Sequence, residues 1–138
     1  MFNKLILICL LSGISFPSFA EWIEFDRDQE FTYSTNVETW NVKDKYNQVI
    51  EVWMKAHIHT DLTKDGLSIG DYNLYQYSIK CNERKLGIMA AAAYKNRKVL
   101  ESQNVSYVKY DSILPDSRGD FLSRTVCNIV FNEDSSST

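Results

Sequence analysis

The stretch VIEVWMKAHIH, Val49 to His59, decides the fold. Ile50, Val52, Met54, Ala56 and Ile58 alternate with Glu51, Trp53, Lys55, His57 and His59, and a strict period of two turns one set toward a core and the other toward solvent. The stretch therefore reads as a long strand in an antiparallel sheet with one covered face. YNLYQYSIKC, Tyr72 to Cys81, repeats the alternation and places Tyr75, Tyr77, Ile79 and Cys81 on one side. The polar loop Thr60 to Asp71, which contains Gly66 and Gly70, joins the two strands.

Upstream, Trp22 to Phe25 and Glu30 to Thr35 are short runs rich in aromatic and β-branched residues, with Asp26 to Gln29 as the turn between them, and they read as two further strands. The polar stretch Asn41 to Gln48 reads as a connection. Downstream, Leu86 to Tyr94 contains four consecutive alanines, which favour helix by propensity. The run is short and flanked by turn residues, and propensity yields to such context. It is read as a strand, returned through Lys95-Asn96-Arg97-Lys98 to Val99–Ser102, with one more strand at Val105 to Tyr110.

Pro115 ends the strand region. Asp116 or Ser117 caps the helix that follows, and Asp120 suits the positive end of its dipole. Phe121, Leu122, Val126 and Ile129 share a helical stripe. The element order predicts an α+β fold, an antiparallel sheet with one C-terminal helix packed on it.

The first 20 residues have a basic Lys4, an apolar run from Leu5 to Leu11 and small residues up to Ala20, the layout of a secretory signal peptide cut after Ala20. The run is too short to span a bilayer, and no transmembrane segment follows. Cys9 lies inside this segment. Its neighbour Ile8 does not make a lipidation site, so Cys9 is assigned to the discarded peptide. Cys81 and Cys127 remain, and an even pair in an exported chain is read as a disulfide tethering helix to sheet. The mature part, 21–131, is one domain, and 132–138 is a polar tail expected to be disordered. The location expected is periplasm or cell surface.

Without Lys4 the mature chain carries 14 basic and 18 acidic residues, a net of −4, which excludes a global nucleic-acid footprint. The distribution is uneven. Lys80, Arg84, Lys85, Lys95, Arg97 and Lys98, opposed only by Glu83, give the span 80–98 a charge of +5. A patch of that kind attracts sulfated glycans, anionic headgroups or acidic protein surfaces; solvated turn cations that protect sheet edges are the competing reading.

His57 and His59 project from one side of the strand, and Asp61 continues the line, so His57, His59 and Asp61 are the weak metal candidate. A solvated strand face explains them as well. Arg118-Gly119-Asp120 matches the integrin-binding tripeptide but falls where capping signals start a helix, and it is read as structural. No Gly-x-Ser-x-Gly elbow and no glycine-rich phosphate loop occurs, and Asp26 and Asp28 sit in a turn. The chain is therefore read as a non-enzyme without a cofactor.

Trp22, VIEVWMK with Trp53, the YSIKC strand ending at Cys81, Tyr94 after LGIMAAAA, the ILPDS lead-in to the helix and the closing Cys127 together resemble the surface-adhesin protein E-like domain of Gram-negative bacteria. The resemblance implies about six antiparallel strands with a disulfide-held C-terminal helix, in an exported protein. Some such proteins are outer-membrane adhesins that bind host extracellular-matrix proteins, and a homodimer is among the implied states. The function expected is an exported, non-catalytic binding module for a matrix protein or sulfated glycan, with Trp53 as an aromatic anchor. The alternatives are a periplasmic envelope protein without a host ligand and a histidine-based metal binder.

Overall fold

The computed structural model describes residues 21–132; the signal-peptide reading and residues 133–138 of the tail lie outside them. The chain forms β1 (Trp22–Arg27), β2 (Phe31–Asn36), β3 (Asn41–Asp44), β4 (Val49–Ile58), β5 (Tyr72–Lys80), β6 (Lys85–Lys95), β7 (Lys98–Asn104), β8 (Asp111–Ser112) and α1 (Arg118–Cys127). All eight strands belong to one antiparallel sheet in the order β1-β2-β4-β5-β6-β7. β3 continues along β4 beyond β2, and β8 continues along β6 beyond β7. The main path thus has the six strands expected, and two short ones extend it.

The alternation of Val49 to His59 is realised in full. Ile50, Val52, Met54, Ala56 and Ile58 are buried, while the residues between them are half-buried on the other side. α1 closes the first side: Leu122 and Val126 pack with Ile50, Val52, Met54, Ala56, Ile79 and Tyr33. A single buried leucine of this kind contributes on the order of 2 to 3 kcal/mol by removal from water. Cys81, just past β5, is joined to Cys127 at the end of α1, so the C-terminal end of the helix is fixed to the sheet covalently.

Three expectations are corrected. Asn41 to Gln48 is not merely a connection, because its first four residues pair with β4; their polar composition hides an edge strand whose side chains are mostly exposed. Val105 to Tyr110 is not a strand. It leaves β6 after the Val105 amide donates to Met89 O, crosses Gly87 and returns as β8. A Cβ on Gly87 would lie 2.5 Å from Lys109 O and 2.6 Å from Val108 Cγ1, so the missing side chain is what lets this crossing lie on the sheet. Ile129 is 36 % exposed; α1 gives way after Cys127 to a π-type turn, Asn128–Asn132, and the change of period brings Val130 and Phe131 onto the core instead.

The helix start has the expected chemistry. Ser117 is the cap, its Oγ accepting from the Asp120 amide at 3.2 Å, while Asp116 precedes it with a positive φ of 59°.

Candidate functional site

The side of the sheet away from α1 is open over β1, β2, β4, β5 and the second half of β6. Register places its side chains in cross-strand rows. One row runs Arg27, Thr32, His57, Tyr72, Tyr94 and Val99, and the next runs Glu24, Ser34, Lys55, Leu74, Ala92 and Ser102. Trp53 opposes Gln76, one row further on, and is half-buried. Opposed residues stand about 5 Å apart, so each row is a set of touching neighbours.

Lys55 is the centre of this surface. Its Nζ lies 4.0 Å from the centroid of the Trp22 ring and 4.8 Å from that of Tyr72, and Tyr72 stacks on Tyr94 with centroids 4.7 Å apart. Among the described residues no carboxylate lies within ion-pair distance of Lys55; Glu24, its nearest acidic row neighbour, is paired with Arg27 at 3.0 Å. Glu51 sits four residues back along β4, roughly 13 Å at the rise of a strand. Burial pushes the Lys55 ammonium below its ordinary value. The ring faces of Trp22 and Tyr72 compensate locally through a cation–π attraction, and a half-buried ammonium with no counter-ion among the described residues favours an incoming anion.

His57 and His59 follow Lys55 on the same side. His59 Nδ1 is 3.0 Å from Thr32 Oγ1. Burial, with Lys55 and His59 adding to it, pushes the His57 imidazole below its ordinary value. Asp61 does not continue the line, because β4 ends at Ile58 and the turn directs Asp61 to Lys64 at 3.3 Å. Among the described residues no group of three or more His, Cys, Asp or Glu is placed to hold a metal ion.

The six cations of the 80–98 span are not one patch. Lys80, Arg84 and Lys85 flank the turn before β6, and Lys95, Arg97 and Lys98 the turn after it. The two turns stand apart by the length of an 11-residue strand, about 33 Å at its rise per residue. The first cluster is committed internally: Arg84 donates to Asp120 at 2.9 Å, Lys80 lies 4.0 Å over the Tyr110 ring, and Glu83 faces Lys80 and Lys85. The second borders the open face. Burial raises the Tyr72 phenol pKa and Arg97 acts against it, which places that guanidinium in the field of the Tyr72–Tyr94 pair. The span 80–98 thus holds two separate cationic turns, and sequence reasoning missed Lys55, whose partners are assembled only by register.

Arg118-Gly119-Asp120 is built into the fold. Asp120 is fully buried, accepting from Arg84, Arg124 and the Asp116 amide. Arg118 stacks at 3.5 Å over the Tyr33 ring and pairs with Asp26 and Asp28. Neither side chain is presented as an integrin ligand requires.

No helix among the described residues is long and apolar enough to cross a membrane. Compared with known proteins, the chain matches no family model, no curated protein and no solved structure.

Proposed function

We propose that this chain is an exported, non-catalytic binding module of the surface-adhesin E type, and that the open face around Lys55 takes an acidic ligand, a sulfated glycan of the kind found in host matrix. The observation that carries this reading is the half-buried Lys55 ammonium held between Trp22 and Tyr72 without a carboxylate partner among the described residues. Sulfate or carboxylate groups satisfy Lys55 and the Arg97–Lys98 turn, while the apolar faces of sugar rings lie on Trp22, Trp53 and the Tyr72–Tyr94 stack. Export is supported by the signal-like first 20 residues and by the Cys81–Cys127 disulfide, which suits an oxidising compartment.

The test is retention on immobilised heparin along a salt gradient. Lys55→Met keeps the stem and removes the charge, and it is expected to elute at clearly lower salt than the parent chain. Arg97→Ser with Lys98→Ser is expected to lower retention further, because the charges act together over a Debye length of about 8 Å. Equal elution of Lys55→Met and the parent chain rejects the open face as the site.

A further inference from the structure

The Cys81–Cys127 disulfide lies in the wall of a pocket. A cavity of about 330 Å³ opens where the end of β5 meets the end of α1, and its lining includes Cys81, Cys127, Arg84, Arg124, Ser123 and Asn128. Both cysteines are half-buried rather than enclosed, so a small molecule entering the pocket meets the bond itself. Disulfides open to solvent are the labile ones.

Each cysteine has an arginine three residues away. Arg84 closes the turn that begins at Cys81, its amide donating to the Cys81 carbonyl at 3.4 Å, and Arg124 stands about one helical turn before Cys127. These two arginines are the charged residues lining the pocket. Both are committed to Asp120, and Arg124 also to Asp116, so the four charges cancel. What remains is hydrogen-bonding capacity rather than surplus charge. A guanidinium has five N–H donors, and all of these ion pairs are made through Nη2. The Nε and Nη1 donors of each arginine can therefore meet another acceptor in the pocket, and a thiolate beside arginine is stabilised.

The two sulfurs are not equivalent. Cys127 closes α1, where the carbonyl end of the helix dipole opposes negative charge, and the π-type turn Asn128–Asn132 follows it. Cys81 lies in a turn, its amide bonded to Gln48 O at 2.9 Å. A thiolate is better held at Cys81, and the sulfur that holds it better leaves faster.

We infer that the Cys81–Cys127 bond is an exchange site for a low-molecular-weight thiol of the glutathione type, with the adduct forming on Cys127. The thiolate of the ligand attacks Cys127 Sγ, the bond to Cys81 breaks, and its electron pair leaves on Cys81 Sγ beside Arg84. One S–S bond replaces another, so no oxidant or reductant is consumed. The proton of the ligand goes to water, and attack by the Cys81 thiolate on the mixed disulfide reverses the step. The start of α1 stays on the sheet throughout, because Asp120 holds it to Arg84.

The experiment exposes the folded mature chain to excess glutathione at neutral pH without denaturant, traps free thiols with N-ethylmaleimide at intervals and maps the products by mass spectrometry. A glutathione adduct on Cys127 is expected, with Cys81 trapped as the free thiol. Arg84→Gln should form it at least about threefold more slowly. Loss of Arg84 also weakens the fold, and unfolding speeds exchange, so a purely structural role for Arg84 predicts the opposite change. Cys127→Ser and Cys81→Ser each leave one thiol, and iodoacetamide is expected to alkylate Cys81 faster than Cys127. No adduct before denaturant is added, an adduct on Cys81, an Arg84→Gln rate equal to or above that of the parent chain, or alkylation of Cys81 no faster than of Cys127 would each overturn the assignment.

Discussion

The guanidinium of Arg84 reaches from the turn before β6 to the buried carboxylate of Asp120, 2.9 Å away and 36 residues along the chain. Arg124, one turn further along α1, binds the other oxygen of the same carboxylate, as does the Asp116 amide. One acidic side chain thus fixes the start of the helix to the sheet, as Cys127 fixes its end. The conformation around it is adapted to this use: Arg84 has a positive φ of 51° and Asp116 one of 59°, an unusual backbone state for residues other than glycine.

Replacing Asp120 with Asn removes the charge while keeping the size. Two guanidinium groups then face a neutral amide, and truncating one partner of such a network leaves the others unsatisfied. The melting temperature is expected to fall by at least about 5 °C at pH 7, followed by circular dichroism. The bonds from Arg124 and then Arg84 hold the Asp120 carboxyl well below its ordinary value. A depressed carboxylate stabilises above the unfolded-state value, near 4, and loses that contribution as pH falls through its folded value. The parent chain should therefore lose its advantage over Asp120→Asn only below about pH 4.

The covalent end of the helix gives a separate expectation. The Cys81–Cys127 bond spans 46 residues, and closing a loop of that length is worth about 4 kcal/mol in the chain-entropy account. Guanidinium unfolding of the parent chain with and without reductant, beside Cys127→Ser, should show a midpoint lowered to a common value in the two thiol forms. Identical midpoints with and without reductant would mean that the bond contributes nothing.

Gly87 makes a third test. Alanine there would place its Cβ against the Lys109 carbonyl and the Val108 side chain, and backbone cannot yield as a side-chain end does. Gly87→Ala is expected to cost about 1 to 3 kcal/mol by overpacking. It should also speed hydrogen exchange at the Val105 amide, which is bonded to Met89 O, while the amides of β4 keep their protection.

Much of the fold was legible because burial on one side writes itself as a period of two. β4 and β5 show it, and β6 keeps its strand state despite four alanines because it lies between β5 and β7. β3 was illegible: an edge strand with few buried side chains has no apolar period. Val105 to Tyr110 misled in the opposite way. Its alternating Val and Tyr residues suit a strand, yet the decisive residue, Gly87, lies on another strand. The same limit hid the cluster around Lys55. Lys55 reads as one more polar residue of an alternating strand until Trp22 and Tyr72 are brought against it from two other strands. The span 80–98 read as one basic patch because sequence proximity ignores that a strand separates its ends.

The open face should respond to pH through His57. Burial first, then Lys55 and His59, hold its imidazole below the ordinary value of 6.5, so it is neutral at pH 7.5. The groups around it are Thr32 on β2, Tyr72 on β5, the Glu24–Arg27 pair on β1 and the Arg97 turn, and none offers His57 a carboxylate of its own. In the free protein, protonation therefore opposes folding: the unfolded chain binds the proton more readily, and stability declines as pH falls below about 6.5. A sulfated ligand reverses the local balance by supplying the missing negative charge. Heparin retention is accordingly expected to rise as the buffer is taken from pH 7.5 to 5.5 at constant ionic strength, by a larger salt increment in the parent chain than in His57→Gln. Lys55→Met should bind weakly at both values. A parent chain whose retention does not change with pH, or a His57→Gln variant that follows the same profile, would remove His57 from the binding surface while leaving the Lys55 test to stand on its own.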